Sequence, residues 1–239
     1  IVNEVPGSEE LAAALGIDRR RPLVVAGSTA PDETRLIDEA VGDRAQLLVA
    51  PRRPEWGEQV ARDLPGSVRR SRGACGSDTG RFVLDTIGEL RPAYALADVV
   101  IVGRTFGRLH GSDMMEPVGL GKPVVVGPRT DDFAAVTEDL LAGGGLLQVE
   151  AGALRETIER LLADPDARHA LADRGRAVIR AHQGAAARHA AMVRRVLPSR
   201  AGRRDGPAPG AVRRGRDDEA EAMVAGADRP TDAAAPGTA

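Results

Sequence analysis

Four apolar runs constrain this chain more than any other feature: Pro22-Leu23-Val24-Val25-Ala26, Gln46-Leu47-Leu48-Val49-Ala50, Asp98-Val99-Val100-Ile101-Val102-Gly103 and Pro123-Val124-Val125-Val126. Each is continuous rather than alternating. Strands of that kind are buried on both faces, which requires a parallel sheet covered by helices on either side. Between the runs lie segments with helical spacing, over 32–41, 55–64, 89–97 and 114–120. Strand and helix alternating at this interval predict an α/β fold with a doubly wound, Rossmann-like parallel sheet. Shorter strands are predicted over 67–71, 82–85 and 145–149, and further helices over 133–141, 153–162 and 166–197. Ser8 is placed to cap a short helix that ends at Gly16.

Composition narrows the function classes. Aromatic residues make up 2% of the chain, so Val, Leu, Ala and Ile must fill the core. The net charge of -2 argues against a nucleic-acid binder driven by phosphate neutralisation. Cys75 is the only cysteine, which excludes an intrachain disulfide and a thiolate metal cluster. No apolar run approaches membrane-spanning length and no signal peptide is present. The chain starts at Ile1 and enters a domain pattern at once, so residues 1–20 read as a lead-in from a missing N-terminal domain. Residues 21–198 read as the ligand-binding domain. Residues 199–239, rich in Ala, Gly, Pro, Arg and Asp, read as a disordered tail.

In an open parallel sheet, ligands bind outside the carboxyl ends of the strands. The residues that follow each strand are therefore the candidates. Gly27-Ser28-Thr29 can cradle an anion or make a plain turn. Arg52 follows Pro51, and a guanidinium suits a phosphate through paired charge-assisted hydrogen bonds. Gly88-Glu89 opens a helix, where an acidic residue is favoured by the dipole with or without a ligand. The densest stretch is Gly111-Ser112-Asp113-Met114-Met115-Glu116-Pro117. It opens a short helix whose free N–H groups suit phosphate. Glu116 one turn on can accept two ribose hydroxyls, or serve a buried structural hydrogen bond. Asp113 is assigned to the helix cap, since a carboxylate beside a phosphate repels it. His110 reads as a loop residue, and His169, His182 and His189 as solvated positions on the last helices.

These pieces together resemble the C-terminal half of the 3-deoxy-D-manno-octulosonic acid (Kdo) transferases. The matching blocks run in order: Ala26-Gly27-Ser28-Thr29, Ala50-Pro51-Arg52, Asp85-Thr86-Ile87-Gly88-Glu89-Leu90, Tyr94-Ala95-Leu96-Ala97-Asp98-Val99, Glu116-Pro117, and Gly121-Lys122-Pro123 through Gly127-Pro128. Where that family usually reads Gly-Gly-His-Asn-Pro-Leu-Glu-Pro, this chain reads His110-Gly111-Ser112-Asp113-Met114-Met115-Glu116-Pro117. The resemblance implies the C-terminal half of a GT-B glycosyltransferase, with CMP-Kdo as donor and the lipid A precursor as acceptor in lipopolysaccharide biosynthesis. It implies nucleotide contacts from Ser28, Thr29, Pro51, Arg52, Ile87, Gly88, Glu89 and the segment Gly111, Ser112, Asp113, Met114, Met115 and Glu116. It implies no cofactor and no metal ion. The general base and any peripheral contact with the cytoplasmic face of the inner membrane would belong to the N-terminal half, this chain being soluble by itself. Two other readings stay open at this point. One is another GT-B enzyme with a UDP-linked donor, and the other is a non-catalytic remnant.

Overall fold

The structure, a computed structural model, describes residues 5–73 and 75–196, with side chains through His182. The stretch 199–239, expected to be a tail, lies outside the described residues, as do the side chain of His189 and the end of the last helix at Leu197. Seven strands form one sheet: β1 (Leu23–Thr29), β2 (Gln46–Pro51), β3 (Val68–Arg69), β4 (Arg81–Val83), β5 (Val99–Val102), β6 (Val124–Val126) and β7 (Leu147–Gln148). Their order is β3-β4-β2-β1-β5-β6-β7 and every pairing is parallel.

Among the described residues eight α-helices accompany the strands: α1 (Ser8–Leu15), α2 (Thr34–Val41), α3 (Gly57–Asp63), α4 (Leu90–Leu96), α5 (Met115–Gly119), α6 (Ala134–Ala142), α7 (Leu154–Ala163) and α8 (Pro165–Val196). The strands face two separate cores, as their period of two dictates. Val25, Leu48, Val100, Val102, Val124 and Val126 pack with Leu11, Leu15, Tyr94, Met114, Val118 and Leu140 from the helices of one layer. Val24, Ala26, Leu47, Val49, Ile101 and Val125 pack with Ile37, Val60 and Ile158 on the other. Both faces are thus sealed by aliphatic side chains, each worth about 1.5–3 kcal/mol when fully buried.

Three local expectations are corrected. Ser8 is the first residue of α1 rather than its cap, because Gly7 occupies the cap position at φ 86 and Ser8 Oγ donates to the Val5 carbonyl at 2.7 Å. Part of the segment read as a lead-in belongs to the fold itself, since Leu11, Ala12, Leu15 and Ile17 are core residues. The helix read over 114–120 shrinks to five residues in α5.

β1 sits at the centre of the sheet. The chain moves outward from it to β2 on one side and later returns to place β5 on the other. The carboxyl ends of β1 and β5 therefore bound the point where strand order reverses. A crevice opens there in folds of this kind.

Candidate donor-binding site

The exit of β1 is irregular. The register with β2 shifts between Gly27 and Thr29, and Ser28 takes a left-handed conformation with φ 56. This brings its carbonyl within 3.3 Å of Ser112 Oγ, the donor, across the crevice from the β5 loop. Beneath lies Tyr94, 1% exposed, its ring against Gly27, where any Cβ would strike the phenol. Burial, with the charges of Glu116 and Asp113 facing it, pushes the Tyr94 hydroxyl well above the ordinary tyrosine range. Thr29 is fully buried and its Oγ1 has no partner among the described residues. Its carbonyl accepts the Arg52 N–H at 2.9 Å, which ties the β2 exit to that of β1. Of the Ser28-Thr29 pair, only Ser28 faces outward.

The loop after β5 is held by a residue the sequence did not single out. Glu33 is 1% exposed, and its carboxylate accepts the backbone N–H groups of Ala30 (2.8 Å), Arg104 (2.7 Å), Thr105 (2.8 Å) and Phe106 (2.9 Å). One side chain thus fixes the β5 exit against the start of α2. The loop then runs to Gly111, whose N–H donates to the Arg104 carbonyl at 2.9 Å and whose φ of 100 no other residue adopts readily.

The segment 113–116 separates into four roles. Asp113 stands one residue before the cap position, which Met114 occupies, so the expected cap is corrected to a side-chain turn in which Asp113 Oδ1 accepts the Met115 N–H at 2.7 Å. That N–H, the first in α5, is therefore not open to a ligand. Met114 is fully buried in the core, its sulfur 3.5 Å from Thr137 Oγ1, so its side chain cannot meet a nucleotide. Met115 is 42% exposed. The Glu116 carboxylate is half-buried and pairs with Arg91 of α4 at 3.3 Å. It lines a cavity of about 710 Å³ with Arg91, Asp113, Met115, Val136 and His182. That volume lies within the range of pockets that hold small ligands. His182, read as solvated, pairs with Asp139 at 3.0 Å on the far wall.

The β4 exit forms the third side. Asp85 accepts Arg69 Nη2 at 2.7 Å, Ser71 Oγ at 2.7 Å and the Ser71 N–H at 2.9 Å. Burial works against its charge, but the Ser71 and Arg69 hydrogen bonds outweigh it and hold the carboxyl below the usual aspartate range. Glu89 is bound by Arg70 at 3.0 Å and by the Thr86 hydroxyl, so its carboxylate already has structural partners. Ile87 is 87% exposed and Gly88 turns at φ 90. Glu89 precedes α4, and Arg91 on that helix reaches Glu116, which links the β4 exit to the Glu116 cavity.

A second, separate concavity of about 380 Å³ lies at the exits of β2 and β5, lined by Arg52, Arg53, Trp56, Arg104 and Leu109. Pro51 ends β2 and is buried. His110, read as a loop residue, pairs with Asp131 at 3.3 Å on the exposed rim. Among the described residues no group of three or more His, Cys, Asp or Glu side chains is placed to hold a metal ion, and no helix is long and apolar enough to cross a membrane. Two residues now matter that sequence reading passed over, Glu33 and Arg91, while Arg104 stands among the residues after β5 that their place behind a strand marks as candidates. Only Glu33 left a signal, an acidic residue following a Gly-Ser-Thr turn.

No family model matches the chain. Curated relatives do. The chain is 34% identical over 184 residues to the 3-deoxy-D-manno-octulosonic acid transferase of Bordetella pertussis, covering 70% of this chain and 43% of that protein. It is 30% identical over 178 residues to the same transferase of Haemophilus influenzae, covering 69% of this chain and 42% of that one. The chain therefore spans less than half the length of these relatives. Among solved structures, the C-terminal CMP-Kdo binding domain of WaaA from Acinetobacter baumannii superposes with a TM-score of 0.65 at 27% identity, covering 72% of this chain and 95% of that one. Anabaena Alr3699/HepE, solved with UDP, shares the fold at a TM-score of 0.50 and 17% identity, covering 73% of this chain and 48% of that one. The seven-stranded sheet with helices on both faces is the C-terminal half of a GT-B glycosyltransferase fold.

Proposed function

The chain is a relative of the Kdo transferases and matches their C-terminal domain, and from that premise we propose that it is the donor-binding domain of a CMP-Kdo-dependent glycosyltransferase. The whole enzyme would transfer Kdo to a lipid A precursor in lipopolysaccharide biosynthesis, at the cytoplasmic face of the inner membrane. The observation that carries this reading is the half-buried Glu116 carboxylate in its cavity, beside the crevice where strand order reverses. A carboxylate there accepts both ribose hydroxyls, with Arg91 holding its second oxygen in place. The base lies over the exposed Ile87-Gly88 tip. The phosphate sits between Ser28, the Ser112 and Asp113 N–H groups, and Arg52.

In the reaction, the acceptor hydroxyl oxygen attacks the anomeric carbon of the sugar. The bond from that carbon to the phosphate oxygen breaks, and CMP leaves with the electron pair. The acceptor proton passes to a general base contributed from outside this chain. Negative charge grows on the departing phosphate. Donors already aimed at it lower the barrier because they need no reorganisation as the charge develops. Arg52 and the backbone of 112–113 are those donors.

Calorimetric titration of the chain with CMP, with UDP as control, tests the reading. Saturable binding of CMP in preference to UDP, weakened at least tenfold by Glu116→Ala and by Arg52→Ala, is the expected result. Preference for UDP would transfer the chain to a different donor class. No binding of either nucleotide would overturn the proposal for this domain.

A further inference from the structure

We propose that Arg104 and Arg53, beside the Arg52 that takes the nucleotide phosphate, form an oxyanion cradle for a second acidic group. The inference rests on the reading of this domain as a binder of a CMP-linked acidic sugar. The first observation is backbone geometry. Arg104 has φ 61, a left-handed conformation that disfavours any side chain with a Cβ. Glycine would sit there without strain. The conformation is imposed from both sides, by the Glu33 carboxylate on the Arg104 N–H and by the Gly111 N–H on its carbonyl. Strain of this kind persists where the surroundings over-determine it, and it gathers at ligand sites. Here it aims a guanidinium into the concavity at the β2 and β5 exits.

The second observation is charge. Arg52, Arg53 and Arg104 line one concavity of about 380 Å³, and among the described residues none of them makes an ion pair or donates a side-chain hydrogen bond. Arg69, Arg70, Arg81 and Arg91 are all engaged by carboxylates. Arg53 stacks over Trp56 at 5.4 Å, which fixes its plane and gives the cradle an aromatic wall. The phosphodiester of a CMP-sugar brings one negative charge, and three guanidiniums exceed it. The complement is a further oxyanion, which planar guanidinium forks bind in paired hydrogen bonds. Two sources present that chemistry: the carboxylate of the ulosonic acid on the donor, and a phosphate on the acceptor.

Trp56 is the only tryptophan in the chain, so its fluorescence reports this cradle alone. The whole chain is titrated with inorganic phosphate and, separately, with a free ulosonic acid (N-acetylneuraminate), each against sodium chloride at matched ionic strength. Calorimetry of the same titrations covers the case of a silent indole. A saturable response to either ligand but not to chloride, weakened about tenfold or more in Arg104→Gly, is expected, since removing one charge-assisted pair costs about that factor. Arg104→Asn, which also tolerates a left-handed backbone, should behave as Arg104→Gly does, which separates charge loss from misfolding. Tighter response to the ulosonic acid assigns the cradle to the donor carboxylate, and tighter response to phosphate assigns it to the acceptor. Absence of binding by both ligands, or equal affinity in wild type and Arg104→Gly, overturns the proposal. The two readings fail separately. Loss of CMP binding with the oxyanion response intact refutes only the nucleotide assignment, and CMP binding without any oxyanion response refutes only the cradle.

Discussion

Glu33 is the most exposed point of failure in the design of this rim. Its carboxylate satisfies four backbone donors, two of them in buried surroundings (Ala30 and Thr105) and two in partly buried ones (Arg104 and Phe106). Glu33→Ala removes every acceptor at once. The partly buried N–H groups can recover water, but each fully buried one loses about 1–3 kcal/mol. The expected cost is therefore about 2–6 kcal/mol, the range of a broken buried network. In a domain of this size that lowers Tm by roughly 4–24 °C. Glu33→Gln should cost nearly as much, because its amide N–H groups would face donors rather than acceptors. Urea and thermal unfolding followed by circular dichroism measure both variants. The same variants should weaken the oxyanion response of Trp56, since the clamp fixes Arg104. A loss under about 1 kcal/mol in Glu33→Ala would show that the loop does not depend on this carboxylate, and the reasoning would fall.

Other perturbations probe separate parts of the site. Gly27→Ala drives a methyl group into the Tyr94 phenol and should destabilise the domain by about 1–3 kcal/mol, measured by chemical unfolding; a neutral effect would show that the ring is free to move. Arg104→Gly should raise stability by about 1 kcal/mol while reducing oxyanion affinity, because it relieves the left-handed strain; a destabilised variant would show that the conformation is not strained. The Asp85 carboxyl is depressed in the folded state, so its contribution is present above the unfolded aspartate value near 3.9 and is lost as pH falls through the folded value. Wild type should therefore lose its stability advantage over Asp85→Asn across that acid window and keep it at neutral pH, and a constant difference down to acid pH would contradict the assignment. Oxyanion affinity should fall steeply with added salt, since it rests on charge alone at the exposed Arg53 and at Arg104, while CMP affinity, which also draws on the neutral ribose hydroxyls at Glu116, should fall less. Parallel salt dependence would mean that one site serves both ligands.

The sheet was legible because burial on both faces leaves an unbroken aliphatic run, and β1, β2, β5 and β6 carry four such runs. The edge strands β3 and β7, two residues each, were read too long because an edge has one neighbour and ends where pairing ends. Residues that follow strands were legible as a rim because topology fixes which end of a parallel sheet is open. What a single chain of letters does not carry is the partner of each charge. Glu89 and Glu116 both read as ribose or helix-start carboxylates, yet Glu89 lies against Arg70, which sits at the end of β3 and far from it in sequence. Met114 looked like a neighbour of the ligand by position in its motif, but the turn at Asp113 rotates its side chain into the core. Arg104 falls on the rim by its place after β5, but its left-handed conformation leaves no mark on an arginine as it does on a glycine.

The rim sorts its ionisable groups by a single physical difference. Glu33, Asp85 and Asp113 accept backbone N–H groups, and Asp85 and Glu89 are also held by Arg69 and Arg70. These groups tie each loop at its base. Among the described residues, Arg52, Arg53 and Arg104 keep their guanidinium donors unspent, and Glu116 is restrained only by a half-exposed contact to Arg91. A ligand gains most where charges are already oriented and not yet satisfied, because it supplies the missing partner without displacing an existing one. The acidic side of the site is thus set for hydroxyl groups and the basic side for oxyanions, with the Ser28–Ser112 contact between them. A nucleotide linked to an acidic sugar has that same polarity along its length, with hydroxyl donors at the ribose and negative charge at the phosphate and beyond. On the proposed reading, that match of polarity, more than any one residue, would orient such a donor across the crevice.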